Sequence, residues 1–370
     1  VNTVEDIEIT AISPVVRPEL VVAGARGTHS RSDFLLVRVT TSDGTTGLGE
    51  VSATLQWSGE DAGTAGYLIK QALAPAVLGQ PLIPVADLER RMDYAAAGAP
   101  FTKAGVSTAL WDAYARTLGV PLAVALGGPL RTEVPVKCSL SGSGQRLREV
   151  YQAAFEAGFR SYKLKIGFDP EDDARRLKEA RKLVGTDTFL GLDANGGYRP
   201  ADAARAIELM RDQDPAFLEQ PVAPGDLAGM RSLRGRGLSI VADESVFGTD
   251  DLVSVLRAEA ADAVSLYIGK AGGPGRVVSM AHLANAFGLD VVLGSNGEMG
   301  IGAAAQLHAA CAAPGLSARI PSDIIGAHYY ERDILKTPLH SDGQHVRLGD
   351  APGLGVEVAD DIAAGFTSVR

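Results

Sequence analysis

Between Ser161 and Ser245, short apolar runs stop on charged residues at regular intervals. S-Y-K-L-K-I carries Lys163 and Lys165, G-L-D-A-N-G-G-Y carries Asp193, F-L-E-Q-P carries Glu219, and I-V-A-D-E-S carries Asp243. A short apolar run bounded by turn residues predicts a strand buried on both faces. The intervening D-D-A-R-R-L-K-E-A-R-K-L and A-D-A-A-R-A-I-E-L-M-R show helical spacing with charged outer faces. Strand and helix therefore alternate about every 25 residues, the rhythm of a parallel (β/α) barrel. Further strands are predicted at 134–140, 262–268, 289–293 and 316–320, which brings the count near eight.

The first part of the chain follows another pattern. I-E-I-T-A-I-S-P-V-V, F-L-L-V-R-V-T-T and T-T-G-L-G-E-V read as a β-meander, with Ser42-Asp43-Gly44 turning between the last two. Residues 64–126 carry helical patterning. The prediction is an α/β chain: an α+β capping domain over 1–127, a modified TIM-type barrel over 128–335, and a tail from about 336 to 370 that returns to the cap. Val21–Arg31 and Ser52–Ala62 read as loops of the cap.

Composition narrows the partners. Of 370 residues, 35 are Lys or Arg and 45 are Asp or Glu, so the net charge of −10 argues against a nucleic-acid partner. Cys138 and Cys311 do not suggest a disulfide framework, which favours a reducing, cytoplasmic setting. No apolar stretch reaches membrane-spanning length, so no membrane partner is expected.

Carboxylates at three successive strand ends would converge at the C-terminal mouth of a barrel. Asp193, Glu219 and Asp243 are thus candidate ligands for Mg²⁺, which prefers oxygen donors, with Mn²⁺ as a possible substitute. Lys163 and Lys165 lie two apart on a strand and share one face. Facing inward, the two ammonium groups would crowd each other, and like charge with desolvation would make either a usable base. In the opposite register Leu164 and Ile166 would point in and the lysines out.

K-L-K at 163–165, D-A-N at 193–195, E-Q-P at 219–221, D-E-S at 243–245 and K-A-G-G at 270–273, in this order, resemble the enolase superfamily, in its muconate lactonizing enzyme subgroup. The resemblance covers essentially the whole chain. It implies Mg²⁺ on Asp193, Glu219 and Asp243, a small-molecule carboxylate as substrate, and a proton moved at the α-carbon through an enediolate. Lys165 would be the base or acid, and Lys163 would contact the carboxylate. Asn195 and Glu244 would support ligands or substrate; in S-N-G-E-M-G, Glu298 would be the acidic residue of the seventh strand end, with a catalytic part, and Asn296 a substrate contact. A homo-oligomer is expected, as is common among such proteins.

One departure matters. Where the subgroup commonly has a second lysine at the sixth strand end, this chain reads L-Y-I-G-K-A-G-G and presents Tyr267. Lys270 matches a later lysine, and serves opposite Lys165 only if the register shifts. With one strong base, racemisation using two bases is disfavoured. The expected activity is a muconate-cycloisomerase-like isomerase, with syn-dehydration of a hydroxy acid or hydroxylated amino acid as the alternative. A racemase or epimerase and a non-catalytic carboxylate-binding barrel rank below these. Arg26, His29, Arg31 and Trp57 in the cap loops, and Asp323, His328 and Tyr329 after the last strand, are candidates for the far end of the substrate. His308, Trp111 and Tyr114 read as structural.

Overall fold

The computed structural model describes residues 1–370, apart from the side chain of His29, so the expectation for His29 lies outside the described residues. In the cap, Val4–Ile12, Phe34–Thr41 and Thr46–Val51 form the antiparallel meander, and Thr367–Ser368 adds to its outer edge beside the first strand. Val4, Ile7, Leu35, Val37 and Val39 turn from this sheet toward Ala109, Leu110 and Ala113 of the helix Pro100–Leu118. That helix lies so close that a Cβ on Gly49 would collide with the Gly105 carbonyl. Glycine is what permits the approach.

The barrel is a curled sheet of seven parallel strands in sequential order: Cys138–Leu140, Ser161–Lys165, Phe189–Asp193, Phe217–Glu219, Ser239–Ala242, Ala263–Leu266 and Asp290–Leu293. Helices between them cover its outside. One of them, Pro170–Val184, is capped by Asp169, whose side chain accepts from the Glu171 and Asp172 amides. Leu164 and Ile166 join the outer core under the helices, so Lys163 and Lys165 face the interior. Phe217, Val241, Ala263, Val292 and Ile320 fill the barrel floor.

Two boundaries differ from expectation. The eighth stave is no regular strand: only Leu316 and Ser322 make ladder bridges, to Val291 and Val136. Pro321 lacks an amide donor, Ser317 Oγ takes the Arg319 and Ile320 amides, and Ser322 Oγ takes the Leu293 amide. Side chains thus replace ladder bonds. The ring still closes, through Asp323 N to Leu293 O at 2.7 Å and Lys137 N to Ser322 O at 3.0 Å. The run 134–140 is also split: Glu133–Pro135 pairs with His345–Arg347 of the tail, and only Cys138–Leu140 joins the barrel. The tail therefore reaches the barrel foot as well as the cap sheet.

Candidate active site at the barrel mouth

Register brings the charged strand ends to one level. Lys165 pairs with Asp193 and Asp193 with Glu219 along the ladder, while Val241, two residues before Asp243, is level with Glu219. Lys165 Nζ lies 2.7 Å from Asp193 Oδ2 and 3.1 Å from Asn195 Oδ1. Lys163 Nζ reaches both Glu219 oxygens at 3.1 Å and Asp323 Oδ2 at 3.2 Å, with Asp193 Oδ2 at 3.5 Å. Asp323 Oδ2 also accepts from Lys137 at 2.9 Å, a fully buried lysine of the first stave. Lys137 was not anticipated; its only signal in the sequence is a lone lysine within V-P-V-K-C-S-L.

The expected consequence of crowding, a lysine freed to act as base, is corrected for Lys163. Burial alone would lower the Lys163 pKa, but the carboxylates of Asp323, Glu219, Asp193 and Asp243 outweigh it and hold this ammonium well above its usual range. Carboxylates dominate its surroundings, although Lys165 shares Asp193 Oδ2 with it and Lys137 shares Asp323 Oδ2. Conversely, burial opposes ionisation of Asp193, yet Lys165 and Lys163 bring it down to about 2. Glu219 is pushed up to about 8, first by burial, with Lys163 opposing and Asp193, Asp243 and Asp323 adding repulsion.

On the other side, Tyr267 Oη donates to Asp243 Oδ2 at 2.8 Å. Burial, then the Asp243 carboxylate, raise its pKa well above the normal phenol value. Lys270 is not poised opposite Lys165. Its ammonium is enclosed by Asp243 Oδ1 (2.5 Å), Asp243 O (2.8 Å) and Ser265 O (2.9 Å), and it does not line the cavity. Glu298 lies beneath the seventh-strand loop, accepting from Ser295 Oγ, the Asn296 amide and Gln306, and is also absent from the cavity lining. Asn296 does line it, with Nδ2 fixed to Ser52 O of the cap at 2.7 Å.

The cavity measures about 260 Å³ and lies between barrel mouth and cap. Lys163, Lys165, Asn195, Tyr267, Asp323 and Tyr329 line it from the barrel and Arg26, Arg31, Gln56 and Trp57 from the cap, while Asp193, Glu219 and Asp243 lie behind the lysines and Tyr267 and outside the lining. Arg26 Nε bonds Asn195 O at 3.2 Å and approaches Glu244 Oε1 at 3.7 Å. Glu244 Oε1 takes the Asn195 amide at 3.1 Å. Arg31 is largely exposed and pairs with Asp33. His328 packs edge-on against Phe159 and is not part of the lining.

The donor set suits a hard divalent cation: buried carboxylates from three neighbouring strand ends, crowded by like charge. Glu244 Oε2 is buried without a partner, which adds uncompensated negative polarity beside Asp243. No preformed cage exists among the described residues, since each acid is turned to an ammonium or a phenol. The fit is one of donor chemistry and charge.

Comparisons with known proteins give the family and the fold. Residues 6–127 match the profile described as "Mandelate racemase / muconate lactonizing enzyme, N-terminal domain", and 146–362 match "Enolase C-terminal domain-like". The chain is 30% identical over 373 residues to muconate cycloisomerase 1 of Rhodococcus opacus, covering 99% of this chain and 98% of that protein. It is 28% identical over 360 residues to the N-succinyl-L-Arg/Lys racemase of Bacillus cereus, covering 96% and 95%. A solved muconate lactonizing enzyme from Pseudomonas fluorescens, complexed with muconolactone, superposes with a TM-score of 0.92 at 28% identity, covering 99% of this chain and all of that one.

Proposed function

The chain belongs to the mandelate racemase / muconate lactonizing enzyme family of the enolase superfamily, and we propose that it moves a proton α to a substrate carboxylate from one face only, with Lys165 as base and acid. Enzymes of this family are generally Mg²⁺-dependent, and Asp193, Glu219 and Asp243 would hold the ion here. When bound, magnesium supplies positive charge to the carboxylate and to the second negative charge that appears as the α-proton leaves. The protein's own groups do the rest. Lys163, held charged among acids, faces the same carboxylate, and Asn195 and Asp193 aim the Lys165 amine.

The observation that carries the reading is Tyr267. On the face opposite Lys165 stands a phenol whose hydrogen is committed to Asp243, with no free lysine behind it. A neutral phenol is a poor proton acceptor, and burial beside the Asp243 carboxylate holds Tyr267 in that neutral form. Reactions needing proton exchange on both faces are therefore disfavoured.

Two single-face reactions remain. A muconate-cycloisomerase-like ring closure is one; syn-elimination of water, in which Lys165 takes the proton and returns it to the leaving hydroxide, is the other. The cavity's charge favours elimination from a hydroxylated amino acid. Among the described residues Arg31 is paired with Asp33, and Arg26 commits its Nε to Asn195 O beside Glu244, so neither guanidinium is wholly given to a second carboxylate. Asp323 instead lines the cavity, and both of its lysine partners meet Oδ2, leaving Oδ1 to a ligand's ammonium.

The test screens dicarboxylates and hydroxylated amino acids with Mg²⁺ in D₂O, following α-deuterium uptake, lactone formation and water loss. Exchange abolished in Lys165→Ala and kept in Tyr267→Phe supports a single base. Inversion at the α-carbon, or exchange surviving in Lys165→Ala, overturns it.

A further inference from the structure

We infer that Trp57, a residue of the cap, is the positioning residue for Tyr267 and through it for Asp243, so that seating of the cap loop and loading of the cation site are coupled. The inference rests on the cation reading above.

The Tyr267 ring lies in a slot with two walls of different origin. One is the barrel backbone at Gly294, where a Cβ would run into the ring. The other is the Trp57 indole, parallel to the phenol within 5°, with centroids 5.5 Å apart. Trp57 also lies 5.1 Å from Phe247, which follows the fifth strand, and meets Phe101 edge-on at 5.9 Å. Lys270 Nζ sits 4.0 Å from the Tyr267 centroid and 6.0 Å from that of Trp57, adding a cation beneath the rings.

The indole is held from the cap side too. Glu60 accepts the Phe101 amide at 3.2 Å and the Thr102 amide and hydroxyl at 2.8 and 2.7 Å, which pins the loop to the start of the helix Pro100–Leu118. With Trp57 in place, the phenol can swing toward neither wall, and its hydroxyl stays 2.8 Å from Asp243 Oδ2. Remove the indole and one wall is gone. Asp243 then keeps Lys270 but loses a fixed donor on its other oxygen. Groups that orient a ligating carboxylate typically change metal affinity by about 10- to 100-fold.

The experiment reads Mg²⁺ affinity by calorimetry, independent of turnover. Tyr267→Phe should weaken binding about tenfold. Trp57→Leu should weaken it roughly three- to tenfold, and Trp57→Phe, which keeps a stacking ring, should lie within about twofold of wild type. The double variant Trp57→Leu/Tyr267→Phe should bind no worse than Tyr267→Phe, since both act through one contact. Linkage requires the reverse effect. In a Trp111→Phe background Trp57 is the only indole, and Mg²⁺ should reduce its quenching by acrylamide.

A merely structural Trp57 would lower stability without moving these numbers. Wild-type affinity in Trp57→Leu, multiplicative effects in the double variant, or quenching indifferent to Mg²⁺ would each overturn the inference. Should Trp57→Leu not fold, the quenching measurement and Trp57→Phe carry the test. Failure of the wild-type chain to bind Mg²⁺ would instead sink the cation reading itself, and this inference with it.

Discussion

Replacing Lys270 by methionine separates a structural lysine from a catalytic one. The side chain is 1% exposed, and its partner carboxylate, Asp243, is 2% exposed. Lys270→Met keeps most of the volume and removes all three donated bonds, to Asp243 Oδ1, Asp243 O and Ser265 O. Removing one partner of a buried ion pair costs about 3–5 kcal/mol, because the other charge is left without compensation. Asp243 retains Tyr267 as a donor, which places the expectation toward the lower half of that range. In a chain of this size the loss corresponds to a melting temperature lower by roughly 4–5 °C. The comparison is Lys165→Met: Lys165 is more exposed, at 14%, and Asp193 would still have Lys163 nearby and the Asn195 amide at 3.0 Å. Its loss should cost stability far less while abolishing α-exchange. Thermal melts without divalent cation, followed by circular dichroism, make the measurement, and Asp243→Asn added to Lys270→Met should recover part of the loss. A Lys270→Met melt within about 2 °C of wild type would refute the reasoning, since no buried pair is then being broken.

Acid should loosen the joint between barrel, cap and tail. His308 Nδ1 accepts the Ala123 amide at 3.0 Å and Nε2 meets Leu354 O at 3.2 Å, so the ring is held neutral, and burial lowers its pKa from 6.5 to about 4. The folded state thus binds this proton less tightly than the unfolded chain. The associated stability, about 3 kcal/mol, is present above pH 6.5 and is lost as pH falls through about 4. His308→Gln should flatten this part of a urea-stability profile between pH 4 and 7, and an unchanged profile would count against it. Glu60→Ala removes the buried cap of Pro100–Leu118 and should cost about 1–2 kcal/mol, read as a lower urea midpoint.

Much of the architecture was legible because alternation and spacing are properties of the chain itself. Apolar runs ending on Lys165, Asp193 and Glu219 had to become parallel strands, and one parallel register then sets these residues level. The missing lysine at Tyr267 was equally visible, being a matter of residue type at a position. What the chain could not express is which charge meets which. Lys163 looked like one of two crowded amines, yet folding surrounds it with Glu219, Asp323 and Asp193 from staves far apart in sequence. Lys137 and Phe247 carried no local signal, because their significance lies in neighbours more than 20 residues away in sequence. Glu298 stands where its motif predicts along the strand, but the turn at Ser295–Gly297 directs its carboxylate to Gln306 below the loop and not into the cavity. Strand order follows from local patterning, which a sequence carries explicitly. The direction of a side chain at a strand end, and the sign of the field it meets, depend on through-space contacts that exist only once the barrel has closed under its cap.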